Sequence, residues 1–233
     1  MKHLLFALLT LFSLNALVAQ GSKAPATPPA APAEKNDPEA KKILDKIRKK
    51  YESYKSLEAT FSLKIELPGK KEETQKGTIA QEGDKKFRLD MDDQIIVSDG
   101  TTTWVYLKKN NEVQINDADP KDSENGFLTP KSLLKRYQKG DYTYAVTEKT
   151  TENSKLLTHI EFKPNDKKSE YSKLRVSVDE KASSIQSVKA FGKDGSRYTF
   201  SISKLTPNKK FAADHFTFDT KKYPGVKVED LRL

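Results

Sequence analysis

The sequence predicts a mainly β domain of the α+β class: a strongly curved antiparallel sheet or unclosed β-barrel, covered by a few short helices, with an internal hydrophobic cavity. Apolar residues recur at every second position in many short runs, turn residues separate these runs, and few stretches show helical spacing. The longest run sets Leu57, Ala59, Phe61, Leu63, Ile65 and Leu67 against Glu58, Thr60, Ser62, Lys64 and Glu66, which describes a strand with one wet face. Pro68-Gly69 ends it. The same alternation returns in Phe87-Leu89-Met91, Tyr142-Tyr144-Val146, Leu156-Thr158-Ile160-Phe162, Leu174-Val176-Val178 and Tyr198-Phe200-Ile202. Turn signals lie between them at Gly83-Asp84, Asp99-Gly100, Asp179-Glu180-Lys181 and Gly192 to Gly195. Successive strands with short turns imply a meander, although a two-sheet sandwich gives a similar pattern.

Helices are expected at two places. Asp37 precedes Pro38 as an N-cap precedes a first-turn proline, and Ala40, Ile43, Leu44, Ile47, Tyr51 and Tyr54 follow on one stripe. A second, shorter helix begins at Thr129-Pro130, with Leu133, Leu134 and Tyr137 on its stripe. Two short helices are little cover for a large apolar sheet face, so a pocket is one outcome and a filled core the other.

The chain start reads as an export signal. Lys2, an apolar run from Leu4 to Leu14 and the small-residue stretch around Ala16 and Ala19 make residues 1–19 a signal peptide, too short to span a bilayer. Residues 20–36 hold Pro25, Pro28, Pro29 and Pro32 among alanines and read as a disordered tether, leaving residues 37–233 as one domain. The expected location is therefore the periplasm, as a soluble protein. The chain has no cysteine, so disulfides, thiolate metal sites, cysteine nucleophiles and an acylated N-terminal cysteine are all excluded. The formal charge of +9 falls by one with Lys2, to +8, and favours anionic partners. The lysine pairs Lys41-Lys42, Lys49-Lys50, Lys70-Lys71 and Lys221-Lys222 are not interleaved with stacking aromatics, and with export this argues against nucleic acid.

Residues 77–115 carry a more specific pattern: Gly77, then Lys86-Phe87-Arg88, Ile96-Val97-Ser98-Asp99-Gly100, Trp104-Val105-Tyr106 and Val113-Gln114-Ile115. Thr129-Pro130 with Leu133-Leu134, the segment Leu174 to Ile185, and Phe216-Thr217-Phe218 followed by Pro224-Gly225-Val226 continue it in order. Together these resemble the outer-membrane lipoprotein carrier (LolA-like) family over the whole domain after the tether. The resemblance implies a periplasmic chaperone that binds acyl chains of triacylated lipoproteins released from the inner membrane and delivers them to the outer membrane. The partners so implied are an inner-membrane ABC-type lipoprotein extractor and an outer-membrane lipoprotein receptor; no cofactor is implied, and the chain is expected to be monomeric. The acyl-lining residues it implies are Phe61, Leu63, Ile65, Phe87, Leu89, Met91, Trp104 and Tyr106, with Ile43, Leu44, Ile47, Leu133 and Leu134 as the lid. Gln81-Glu82-Gly83 stands where many family members carry an arginine associated with holding the lid shut.

The residues themselves have structural readings too. Asp99-Gly100 is a tight hairpin turn, Trp104 suits a core, and Arg88 sits on the polar side of its strand. Catalysis finds little support. His3 leaves with the signal peptide, and His159 and His215 lie in strand-like runs without metal-spaced partners. GxSxG, Walker A and HExxH patterns are absent, and Asp92-Asp93 are adjacent on a strand and so point to opposite faces. The chain is thus expected not to be an enzyme and to hold no metal. A binding protein or sensor for another lipid or hydrophobic ligand on the same fold is the alternative function.

Overall fold

The computed structural model describes residues 36–118, 133, 134, 137, 139–152 and 154–232. The signal peptide, most of the tether and Thr129-Pro130 lie outside the described residues.

One helix, α1 (Pro38–Glu52), opens the domain as expected. Asp37 caps it, its Oδ1 accepting from the Glu39 amide at 2.8 Å. The same entry also ties down the sheet. Asp37 donates its amide to the Tyr144 carbonyl at 3.0 Å. Asn36 Oδ1 accepts from the Tyr144 amide and Asp37 Oδ2 from the Val146 amide. Bonds to the Val146 amide first and the Glu39 amide second hold the Asp37 carboxyl below its ordinary range. Asn36, which the composition assigned to the tether, is therefore already part of the fold.

The strands are β1 (Ser56–Glu66), β2 (Glu73–Glu82), β3 (Lys86–Met91), β4 (Gln94–Ser98), β5 (Thr102–Leu107), β6 (Glu112–Asp117), β7 (Tyr142–Glu152), β8 (Lys155–Pro164), β9 (Tyr171–Asp179), β10 (Ser184–Gly192), β11 (Arg197–Pro207) and β12 (Lys227–Asp230). They form one unclosed sheet in the order β12-β6-β5-β4-β3-β2-β1-β11-β10-β9-β8-β7. This single sheet excludes the sandwich. Two meanders, β1–β6 and β7–β11, meet where β1 pairs antiparallel with β11, from Leu57 opposite Pro207 to Glu66 opposite Arg197, with an irregularity between Thr60 and Phe61. All ladders are antiparallel except that of β12, which joins β6 in parallel. At the β4–β5 turn the Asp99 amide reaches the Thr102 carbonyl and Gly100 has φ of 94°. The central turn residues are thus Gly100-Thr101, one place later than Asp99-Gly100, with glycine supplying the positive φ.

Cross-strand partners share a face, so the register assigns every side chain to one of two surfaces. The face that α1 covers is here called inner. Its core joins Ala40, Ile43, Leu44, Ile47 and Tyr51 of α1 and the helical residues Leu133, Leu134 and Tyr137 to Tyr142, Tyr144, Ile160, Phe162, Leu174, Val176, Val178, Ile185, Val188 and Ala190 of β7–β10. Fully burying each of Ile43, Leu44 and Ile47 is worth roughly 1.5–3 kcal/mol. A separate core lies on the outer face of the other meander. There Ile95, Val97, Tyr106 and Val113 pack with Phe218, flanked by Trp104, Tyr223 and Val226. The chain after β11 thus forms a strap over the outer face, through a 3-10 turn at Thr220–Lys222, before β12 joins the β6 edge.

Candidate functional site

The inner face continues beyond the helix-covered core onto β11, β1, β2, β3, β4 and β5. Phe61, Leu63 and Ile65 on β1 stand opposite Ile202, Phe200 and Tyr198 on β11. Across β2, Ala59 meets Ile79 and Phe61 meets Gly77. Ile79 then meets Leu89, and Gly77 meets Met91. Leu89 meets Ile96, and Ile96 meets Val105. The result is an apolar surface several strands wide.

Phe61 anchors its middle. Its ring stacks on Phe200 with centroids 4.6 Å apart. On the other side it lies over Gly77, where an added Cβ would come within 2.8 Å of the ring and 2.6 Å of the Asp90 carbonyl. Gly77 is thus required by close approach rather than by backbone angle. Phe61, Leu89 and Met91 are buried, whereas Leu63, Ile65, Ile79, Phe87, Val105, Leu107, Phe200 and Ile202 stay partly exposed.

Six of the eight expected lining residues, Phe61, Leu63, Ile65, Phe87, Leu89 and Met91, share this face. Trp104 and Tyr106 do not. Trp104 pairs with Val97 and Tyr106 with Ile95, and these stand opposite Arg88 and Asp90 on the outer face. Tyr106 packs against Phe218 at 5.3 Å and Tyr223 at 4.5 Å, and its hydroxyl lies 3.0 Å from Asn111 Oδ1. The physical reason is that β4 and β5 are apolar on both faces, so alternation there has no phase. Val105 and Leu107 hold the inner positions instead. Sequence reasoning also passed over Ile79, Phe200 and Ile202; the last two were readable as an alternating strand, but only pairing with β1 brings them to this surface.

The expected lid residues Ile43, Leu44, Ile47, Leu133 and Leu134 are all buried in the helix-covered core. A polar contact joins the two covering segments. The Tyr137 hydroxyl donates to Asp45 Oδ1 at 2.6 Å, and its ring meets Tyr144 edge-on at 5.7 Å. Burial first, then the bond to Asp45, raises the Tyr137 hydroxyl well above its ordinary range. Asp45 is held low, first by the Lys41 ammonium and then by Tyr137. Burial also pushes Tyr51 up to about 12.

His159 and His215 sit away from the inner face. His159 is buried on the outer side of β8, with Nδ1 2.9 Å from Ser177 Oγ and Nε2 2.6 Å from Thr150 Oγ1, so both ring nitrogens are engaged. His215, in the strap, stacks on Phe211 at 4.5 Å and meets Phe216 edge-on at 4.9 Å. Burial, then the Arg88 charge, lowers its pKa. Among the described residues no group of three or more His, Asp or Glu is placed to hold a metal, and no helix is long and apolar enough to cross a membrane.

The class of protein is defined by one long unclosed sheet with a broad apolar inner face and a helical cover at one end. The family profile described as outer membrane lipoprotein carrier protein LolA matches residues 52–219, and the chain belongs to that family. An outer-membrane lipoprotein carrier protein of Vibrio parahaemolyticus is 27% identical over 195 residues, covering 81% of this chain and 86% of that one. An uncharacterized protein of Methanocaldococcus jannaschii is 33% identical over 114 residues, 45% of this chain, and the match spans only 33% of that relative. The solved structure of an uncharacterized conserved protein from Thermus thermophilus shares the fold, with a TM-score of 0.53 at 8% identity over 82% of this chain and 99% of that one.

Proposed function

We propose that this protein is a soluble periplasmic chaperone that holds the acyl chains of lipoproteins on its inner face and passes them from an inner-membrane extractor to an outer-membrane receptor, without chemical catalysis. The observation that carries this reading is the partly exposed apolar strip formed by Leu63, Ile65, Ile79, Phe87 and Phe200 beside the helix-covered core. Neighbouring Leu89 and Met91 form its deeper floor. A methylene gains roughly 0.8 kcal/mol on full burial, so complete burial of several chains would trap the cargo. Partial burial on an open-edged sheet leaves release possible, and direction then comes from a better-binding acceptor. The signal-like residues 1–19 support export.

The test is the affinity for an acylated peptide of two variants on one strand. Leu63→Glu puts a carboxylate on the strip, where desolvation against lipid is costly, and is expected to lower affinity at least tenfold. Ser62→Glu, on the outer face, is expected to leave affinity within about threefold. Equal affinities, with near-UV circular dichroism showing native packing in both, would remove the inner face as the binding surface. Native mass spectrometry of the protein taken from the periplasm then separates a lipoprotein cargo from another lipid.

A further inference from the structure

The solvent side of α1 carries a row of lysines that the fold leaves bare. Lys42, Lys46 and Lys49 are exposed and fall at i, i+4 and i+7, one face of the helix over about 10 Å. The carboxylates of α1 are turned elsewhere. Glu39 takes Lys149 at 3.1 Å, Asp45 takes Lys41 and Tyr137, and Glu52 takes Arg48 at 2.6 Å. Lys50 is engaged by the Ala182 carbonyl. Among the described residues, none forms a hydrogen bond or ion pair with any of the three lysines; the Glu180 carboxylate, bonded to Thr158 and Lys149, also feels the Lys46 charge.

Like charges at i, i+4 weaken a helix, so folding does not reward the pairing of Lys42 with Lys46, although Lys49 also complements the helix C-terminus. We infer that the row is a docking surface for the anionic headgroups of a lipid bilayer. The residue type favours a bilayer over an acidic protein. Lysine is a hydrated point charge suited to a dense, unpatterned field of anions, whereas arginine supplies the planar fork of specific carboxylate recognition. The one arginine of α1, Arg48, is folded back onto Glu52 and Asp45. The opposite stripe of the same helix, Ile43, Leu44 and Ile47, is buried on the sheet, so docking through the lysines leaves the core covered. The inference rests on the geometry of α1 and not on what the inner face binds.

The experiment is co-sedimentation of the full chain with phosphatidylcholine vesicles, with and without phosphatidylglycerol, at low and raised salt. The wild type is expected to bind the anionic vesicles at low salt, to release them as salt rises, and to ignore the neutral ones. The triple variant Lys42→Gln, Lys46→Gln, Lys49→Gln keeps helix propensity and is expected to lose roughly a hundredfold in partitioning. The variant Lys204→Gln, Lys210→Gln, Lys221→Gln removes the same charge from other exposed sites and is expected to stay within about threefold. No binding by the wild type at low salt overturns the inference, as does an equal loss in both variants, which would reduce it to net charge. Polyglutamate binding lost only in the helix variant, with vesicle binding retained, would assign the row to acidic proteins and also overturn it. Unchanged acylated-peptide affinity in the helix variant keeps this outcome separate from the carrier reading.

Discussion

The two ends of the sheet are covered on opposite faces. Over β7–β10 the cover is α1 with Leu133, Leu134 and Tyr137, on the inner face, and the side chains beneath are almost wholly buried. Over β4–β6 the cover is the strap of Phe218, Tyr223 and Val226, on the outer face. A sheet with apolar residues on both sides needs cover on both to be dry. Here the described elements supply one cover at each end, and the stretch between, on β1, β2 and β11, keeps Leu63, Ile65, Ile79, Phe200 and Ile202 partly exposed on the inner face although Phe61 is buried. The contrast marks the surface that the proposed carrier function would use: next to the filled core rather than within it.

The largest effect expected from this contrast is at Leu44, which is fully buried under α1. Leu44→Ala leaves a cavity in the filled end and is expected to cost about 2–5 kcal/mol in urea unfolding, with an unchanged denaturant slope. A cost near zero would mean that the helix end is loosely packed and that the contrast is false. Tyr106→Ala strikes the strap end. It removes a ring packed between Phe218 and Tyr223 and is expected to cost about 2–4 kcal/mol, yet to leave acylated-peptide affinity within about threefold because Tyr106 faces outward. A large loss of affinity in the folded variant would place the outer face in the site.

The smallest effect is a pH dependence confined to the strap. His215 lies between Phe211 and Phe216 and near Arg88, and its folded pKa falls below the ordinary 6.5. The neutral ring is the form the fold accepts. Its contribution is therefore fully present above pH 6.5 and is lost as pH falls through the lowered folded value, because the unfolded chain takes up a proton that the strap resists. Thermal unfolding of wild type and His215→Gln compared from pH 7.5 to about 5 should show the wild type losing more stability toward acid pH than the variant. Parallel curves would show that the strap does not sense protonation.

Much of the domain was legible from residue order alone because the rules involved are local. Period-two alternation placed β1, β3, β7, β8, β9 and β11, and Asp37-Pro38 placed the start of α1. The facing of Leu89 against Arg88 followed from pleating and holds in the register. Local rules ran out where both faces of a strand are apolar: Ile95-Ile96-Val97 and Trp104 to Leu107 carry no phase, so Trp104 and Tyr106 were assigned inward although they face the strap. β12, too short and too polar to announce itself, is a strand because β6 offers it an edge.

What the sequence by itself determined, then, is many of the strands, the capped helix, the turns at glycine and the absence of cysteine chemistry, since each depends on neighbours a few residues apart. Tertiary structure alone decided that β1 lies beside β11, which brings Phe200 onto Phe61, and that residues after Pro207 cross to the outer face of β4–β6. The physical reason is that these contacts join segments more than a hundred residues apart, where burial of whole faces, and not local propensity, sets which surfaces meet.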